Sequence, residues 1–151
     1  MRAYRNLLKQ LSEDAPEKLT RLPAEFLAEQ TRWLLERDEI YVLEQVNKYV
    51  PVMAALATEA VARAADRALE RGVVDDFCFL YAHLPSDGRP DAARIDRACA
   101  RLARRGNAGG IEQIIGATGV RPVLDEETVL RSYNVLVAAA SASNRTGTPE
   151  S

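Results

Sequence analysis

The residue types most often used in catalysis are few in this chain, and their spacing does not suit a catalytic or metal site. His83 is the single histidine, and Cys78 lies five residues before it. On a helix this separation turns the two side chains about 140° apart, so they do not form a nucleophile–base pair. With Cys99 they also lack the ligand spacing of a zinc site. Both cysteines are predicted to pack as small apolar residues.

Two further motifs resemble parts of active sites without completing one. Asp75 and Asp76 are adjacent, so they point apart on a helix and are predicted to be helix-start charges rather than a paired acid and base. The segment Gly106-Asn107-Ala108-Gly109-Gly110 follows a helix instead of a strand and has no following Lys-Ser/Thr, so we interpret it as a hairpin turn rather than a phosphate loop. We therefore expect a protein that is not an enzyme and has no cofactor or metal.

Arginine is the residue through which the sequence could bind a charged partner. Two rows of arginines have the helical spacing i, i+4, i+8, and each member of the second row stands 34 positions after its equivalent in the first. Guanidinium groups suit bidentate contact with phosphate. The alternative is a solvated helix face that nearby acids neutralise. The candidate residues for binding RNA or an acidic partner are Arg63, Arg67, Arg71, Arg94, Arg97, Arg101 and Arg105, and the neutralising acids would be Asp66, Glu70 and Asp96.

Composition favours one all-helical chain without membrane insertion. Of the 151 residues 47% are hydrophobic but 6% are aromatic, which is typical of helices packed through small and aliphatic side chains. The net charge is −2, so contact with nucleic acid would need a local basic patch. The two cysteines give no disulfide framework, and the uncharged run 132–144 is too short to span a bilayer. No secretory signal is visible, so the chain is not expected to be secreted.

Apolar positions and turn residues recur along the chain at a fixed spacing of 34 positions. Three strings align at this spacing without gaps: LLERDEIYVLEQV from Leu34, ALERGVVDDFCFL from Ala68 and LARRGNAGGIEQI from Leu102. Asp38, Gly72 and Gly106 then occupy one slot, which suits a tight or left-handed turn between two helices. One helix pair cannot cover its own apolar face, but stacked pairs can. The pattern predicts a short right-handed α-solenoid of about three helical hairpins.

This pattern divides the chain into an N-terminal helix and a repeat domain. Leu7, Leu8 and Leu11 share one face of an amphipathic first helix, and a short mitochondrial presequence is the alternative interpretation of that segment. Val135 and Leu136 would lie at an open end of the solenoid. All five are candidate protein-docking residues. The expected parts are the helix 1–21, the repeat domain 22–143 with hairpins 22–55, 56–89 and 90–123 and a final helix 124–143, and a polar tail 144–151.

A repeat of this period with glycine in the hairpin and a closing Gly-x-Pro turn resembles the pentatricopeptide repeat family. The residues that carry the resemblance are Gly72, Gly88-Arg89-Pro90-Asp91, Gly106, Gly119-Val120-Arg121-Pro122 and the string RSYNVLVAAASAS from Arg131. It covers roughly residues 22–143. The resemblance implies helical hairpins that bind single-stranded RNA or serve ribonucleoprotein assemblies in mitochondria or chloroplasts.

The positions that read bases in that family are occupied differently here. The fifth residue of the first helix and the residue just before the repeat are usually a small polar residue paired with Asp or Asn. Arg63 and Arg97 stand at the fifth positions, with Thr58 and Ala92 as partners. Sequence-specific base reading is therefore not expected. Trp33 shares the slot of Arg67 and Arg101, where it would either stack on a base or pack against a helix.

A second resemblance concerns the N-terminus. The string AYRNLLKQL from Ala3 is similar to the opening helix of mitochondrial LYR-motif proteins, with alanine in place of the leucine. The leading expectation is a non-catalytic subunit of a mitochondrial ribonucleoprotein that contacts other protein subunits and single-stranded or ribosomal RNA backbone. The alternative is a purely protein-binding adaptor or an LYR-like assembly factor, and a cytoplasmic location is the alternative to the mitochondrion.

Overall fold

The computed structural model describes residues 2–123 of the chain, and within that range all regular structure is helical. Met1 and residues 124–151 lie outside the described residues, so the expected final helix 124–143, the tail 144–151 and the docking residues Val135 and Leu136 lie there too. The prediction of an all-α protein is confirmed. The α-helices of the described range are α1 Arg2–Asp14, α2 Ala24–Glu36, α3 Ile40–Asn47, α4 Thr58–Arg71, α5 Val74–Ala82, α6 Ala92–Arg104 and α7 Ala108–Thr118.

The helices alternate in a regular way along the sequence. The first residues of α2, α4 and α6 are evenly spaced at positions 24, 58 and 92, and those of α3, α5 and α7 at positions 40, 74 and 108. The turn inside each pair contains a residue with positive φ: Asp38 at 57°, Gly72 at 74° and Gly106 at 71°. Glycine adopts this left-handed conformation without steric cost, and aspartate is among the few other residues that tolerate it. The backbone therefore turns at the slots where the sequence predicts it.

Residues 1–89 form one compact unit, which we call unit 1. In this unit α1 packs against α3, α2 packs against α3 and α4, and α4 packs most extensively against α5. Short 3-10 turns at Pro16–Arg21, Val52–Ala55 and Ser86–Gly88 connect the helices. Helix α1 thus shares a core with the first two hairpins. The fully buried side chains of the unit 1 core include Leu8, Leu19, Leu34, Leu43, Phe77 and Leu80.

Residues 90–123 are the described part of the second unit, unit 2. Helix α6 begins at an N-cap, Asp91, whose side chain accepts a hydrogen bond from the backbone N–H of Arg94 at 2.9 Å. Such a cap satisfies one of the unpaired N–H groups of the first turn. Helix α6 packs against α7, and their buried side chains are Ile95, Ala98, Cys99, Leu102, Ala103 and Ile114.

Candidate binding surfaces

Two of the three candidate arginines of α4 are engaged within unit 1. The Arg67 Nε donates to the two carboxylate oxygens of Asp38 at 3.0 and 3.2 Å, and its Nη2 donates to the Leu35 carbonyl at 3.2 Å. The Arg71 Nη1 donates to Asp38 Oδ2 at 3.0 Å. Both guanidinium groups therefore tie α4 to the turn after α2. The acid that pairs with them, Asp38, is not among the neighbouring acids that the sequence analysis named as neutralising partners.

The third candidate arginine of α4, Arg63, is exposed but lies in acidic surroundings. It lines a groove of about 410 Å³ together with Glu59, Asp66 and Asp87. Three carboxylates beside one guanidinium give this surface a net negative character. The face of α4 is therefore poorly suited to a phosphate backbone.

Helix α6 presents a different surface, because it lacks the acids of α4. At the positions equivalent to Glu59, Asp66 and Glu70 in the repeat stand Ala93, Ala100 and Arg104. At about 100° per residue, the five arginines of α6 and its C-terminal cap fall within an arc of about 100°. We call this the α6 arginine face, and it consists of Arg94, Arg97, Arg101, Arg104 and Arg105.

The α6 arginine face is accessible, and its helix contains a single acid. Arg101 is half-buried and the other four arginines are exposed. Arg94 and Arg101 also make contacts within the chain. The single acid of α6, Asp96, lies outside the arc and accepts a hydrogen bond from the Val123 backbone N–H at 3.1 Å. The face therefore concentrates positive charge that a partner can reach.

The three candidate docking leucines of α1 have unequal access to solvent. Leu8 is fully buried, so its assignment as a docking residue is wrong, because it belongs to the core of unit 1. Leu7, one residue earlier, is 39% exposed, and Leu11 is half-buried. The shared face that the sequence predicts is therefore mainly the packing face of the helix, with Leu7 at its edge.

The candidate chemical groups are placed as packing and turn residues. Cys99 is buried and Cys78 half-buried; burial raises the pKa of both thiols, and the charges of Asp96 and Asp75 respectively raise it further. The His83 Nδ1 lies 2.9 Å from the Phe79 carbonyl oxygen. Over the described residues, no group of three or more His, Cys, Asp or Glu side chains is placed to hold a metal ion.

The turn and helix-start interpretations of the two other motifs are confirmed. Asp75 and Asp76 lie in the first turn of α5. Burial raises the pKa of Asp76, and the neighbouring charges of Asp75, Glu44 and Asp38 raise it further. In the glycine-rich segment, Asn107 caps α7 by accepting a hydrogen bond from the Gly110 N–H at 2.8 Å. This segment is a hairpin turn whose side-chain oxygen is already occupied.

Two grooves in unit 1 were not anticipated from the sequence. The first runs along α2, has a volume of about 480 Å³ and continues into an apolar recess of about 150 Å³. The second is the groove beside Arg63. Glu25, Ala28, Glu29 and Arg32 line the first groove, and their equivalents in the next repeat, Glu59, Ala62, Arg63 and Asp66, line the second. A glutamate and an alanine recurring at the repeat spacing are the sequence signal that could have indicated them.

Trp33 does not offer an open ring for stacking. Its side chain is half-buried, and the Arg37 guanidinium carbon lies 5.5 Å from the ring centroid, within cation–π range.

In the part of the chain that the structure describes, no helix is both long and apolar enough to cross a membrane. No protein-family model, no curated protein and no solved structure matches this chain.

Proposed function

We propose that this chain is a non-catalytic helical-repeat subunit of a ribonucleoprotein that contacts RNA backbone through the α6 arginine face and other protein subunits through unit 1. The observation that carries the proposal is that five arginines share one face of α6, while the acids present on α4 are replaced there by alanine and arginine. Guanidinium groups on a rigid helix are well suited to bidentate phosphate contacts.

The proposed architecture is a short right-handed α-solenoid. The even spacing of the helix starts and the positive φ at three equivalent turns support it, because stacked hairpins of one length repeat both features. The pentatricopeptide resemblance of the sequence, together with the weaker LYR resemblance, is the reason for placing the assembly in a mitochondrion.

The proposed contact is with backbone rather than with bases. From Arg94 to Arg105 α6 rises about 16 Å, so the face can follow several phosphates of one strand. Residues 90–123 contain no Phe, Trp or Tyr, so this segment offers no aromatic ring on which a base could stack. Three to five phosphate contacts predict a slope of log affinity against log salt of about −2 to −3.5 for a single strand.

We would test this with the full chain and fluorescently labelled oligouridine RNA, measuring anisotropy over a series of salt concentrations. The variant Arg97→Ala/Arg104→Ala/Arg105→Ala removes three exposed guanidinium groups, and we expect it to lower affinity at low salt at least about tenfold. The slope of its log affinity against log salt should be shallower than that of the native chain by about 2. Lys18→Ala/Arg21→Ala/Lys48→Ala removes as many exposed cations from unit 1 and should bind within about twofold of the native chain.

The proposal is overturned if the folded native chain does not bind RNA at low salt, or if the two triple variants lose affinity equally. Either result would favour the second candidate, a purely protein-binding adaptor or LYR-like assembly factor. The specific observation in favour of that candidate is the pair of grooves in unit 1, whose mixed and mainly acidic lining suits a protein partner.

A further inference from the structure

The two grooves of unit 1 share a charge pattern opposite to that of the α6 arginine face. Five carboxylates line the grooves, against two guanidinium groups. A phosphate backbone would be repelled from this lining, whereas a basic partner would be attracted. The acids are Glu25, Glu29, Glu59, Asp66 and Asp87, and the arginines are Arg32 and Arg63.

Small side chains form most of the remaining lining and leave room for another helix to approach. The groove is lined by Ala28 of α2, by Ala55 at the end of the 3-10 turn Val52–Ala55, and by Ala57 and Ala60 around the start of α4. The adjoining recess of about 150 Å³ is mostly apolar, with Leu27, Val50, Pro51 and Val52 among its lining residues. A recess of this size suits one aliphatic side chain, whose burial there would favour binding.

The spacing of the acids specifies how a basic partner would be arranged. Glu25 and Glu29 are four residues apart, so they lie one above the other on α2 with a rise of about 6 Å. A helix with basic residues at i and i+4 repeats the same rise. Such a helix could therefore pair both carboxylates while an aliphatic residue beside the basic ones enters the recess.

We infer that the α2 groove of unit 1 is a docking site for a basic amphipathic helix of a partner protein, with Glu25 and Glu29 pairing its Lys or Arg residues. Glu59, which lines the second groove and precedes the α2-groove residue Ala60, adds to the attraction. This site lies in a different unit from the α6 arginine face and goes beyond the proposed contact with RNA. The chain would then carry one acidic and one basic docking surface, each selecting a partner of opposite charge.

The test uses the full chain and a capped synthetic peptide of about five helical turns, made of alanine and leucine with lysine at every fourth position. Calorimetry should show binding that weakens with salt, and the matched peptide with glutamate in place of lysine should not bind. Glu25→Gln/Glu29→Gln/Glu59→Gln should lower affinity about tenfold, because the two exposed ion pairs of the α2 groove and the attraction of the nearby Glu59 charge together are worth about 1.4 kcal/mol.

Two further variants separate the groove from general charge effects. Glu13→Gln/Glu17→Gln/Glu112→Gln removes three exposed acids elsewhere and should leave peptide affinity within about twofold of the native value. Ala28→Trp fills the α2 groove without changing charge and should weaken binding as much as the groove triple variant. RNA binding should be unchanged in the groove triple variant, so failure of this inference and failure of the RNA proposal are distinguishable.

The inference is overturned by any of four results. They are no binding of the lysine peptide to the folded native chain, equal binding of the glutamate peptide, equal loss in both triple variants, and unchanged binding in Ala28→Trp. Concentration-dependent self-association that the groove substitutions abolish would identify a second copy of the chain as the occupant and would overturn it too.

Discussion

At Asp38 two structural demands meet on one residue. Its backbone has φ 57°, and its carboxylate forms ion pairs with the guanidinium groups of Arg67 and Arg71. We expect Asp38→Ala to lower the free energy of unfolding by about 1–2 kcal/mol, since alanine keeps the left-handed strain and loses both half-exposed ion pairs. Asp38→Gly should cost less, because glycine relieves the backbone while losing the same pairs. Urea denaturation followed by circular dichroism measures both.

The comparison with Arg67→Ala separates the two contributions. This change removes the ion pair and the bond to the Leu35 carbonyl without altering the turn. Its cost should resemble that of Asp38→Gly rather than Asp38→Ala. Equal destabilisation by Asp38→Ala and Asp38→Gly would show that the positive φ contributes nothing, contrary to this expectation.

Asp76 gives a prediction about pH. Burial and the charges of Asp75, Glu44 and Asp38 raise its pKa in the folded chain. The native state thus binds the proton more tightly than the unfolded state, and stability falls as pH rises from about 4 through the folded pKa. Asp76→Asn cannot ionise. We expect it to be more stable than the native chain at neutral pH, with the difference disappearing below about pH 4.

The measurement for Asp76→Asn is thermal unfolding at a series of pH values. Glu112→Gln is a suitable control, because it also replaces a carboxylate by an amide, and Glu112 is exposed on α7, so the change should leave stability at neutral pH within about 0.5 kcal/mol of the native value. A pH-independent gain in Asp76→Asn would mean that side-chain packing or helix propensity, and not ionisation, causes the difference.

Helix α7 allows backbone conformation to be tested at the scale of one element. A Cβ added at Gly116 or at Gly119 would meet no atom within 4 Å, but Gly116 is helical and Gly119 caps the helix at φ 71°. Gly116→Ala should stabilise the chain by about 0.5–1 kcal/mol, because alanine is the better helix former. Gly119→Ala should destabilise it by about 1 kcal/mol, because the left-handed region penalises a Cβ.

Chemical denaturation of the two glycine variants, monitored by circular dichroism, measures both changes in the free energy of unfolding. The same sign for both changes would mean that space, and not backbone conformation, controls these positions. A neutral Gly119→Ala would indicate that the cap can relax to another turn.

The elements were more predictable than the surfaces. Glycine at positions 72 and 106 and the apolar spacing around them indicated helices and turns that the structure contains, because both signals are local in sequence. The engagement of Arg67 could not be predicted in this way. Its partner, Asp38, lies 29 residues earlier, and no local pattern links the two. Leu8 was misassigned because the amphipathic pattern of one helix does not show whether the core of the same chain or a partner protein covers its apolar face.

For the whole molecule, charge is divided more sharply than the net value of −2 suggests. Residues 1–89 contain 12 basic and 15 acidic residues, whereas residues 90–123 contain six arginines and three acids. The acidic grooves belong to the first segment and the α6 arginine face to the second. The net charge averages these opposite surfaces, so by itself it does not reveal the basic face of α6.

The position of Trp33 determines what fluorescence can reveal about the chain. It is the single tryptophan, it lies in unit 1, and residues 90–123 contain no aromatic side chain. Tryptophan emission therefore reports the melting of unit 1 and does not detect α6 and α7, whereas circular dichroism follows the helices of both units. Superimposed curves from the two probes would indicate a cooperative molecule, and separated curves would give the stability of each unit without dividing the chain.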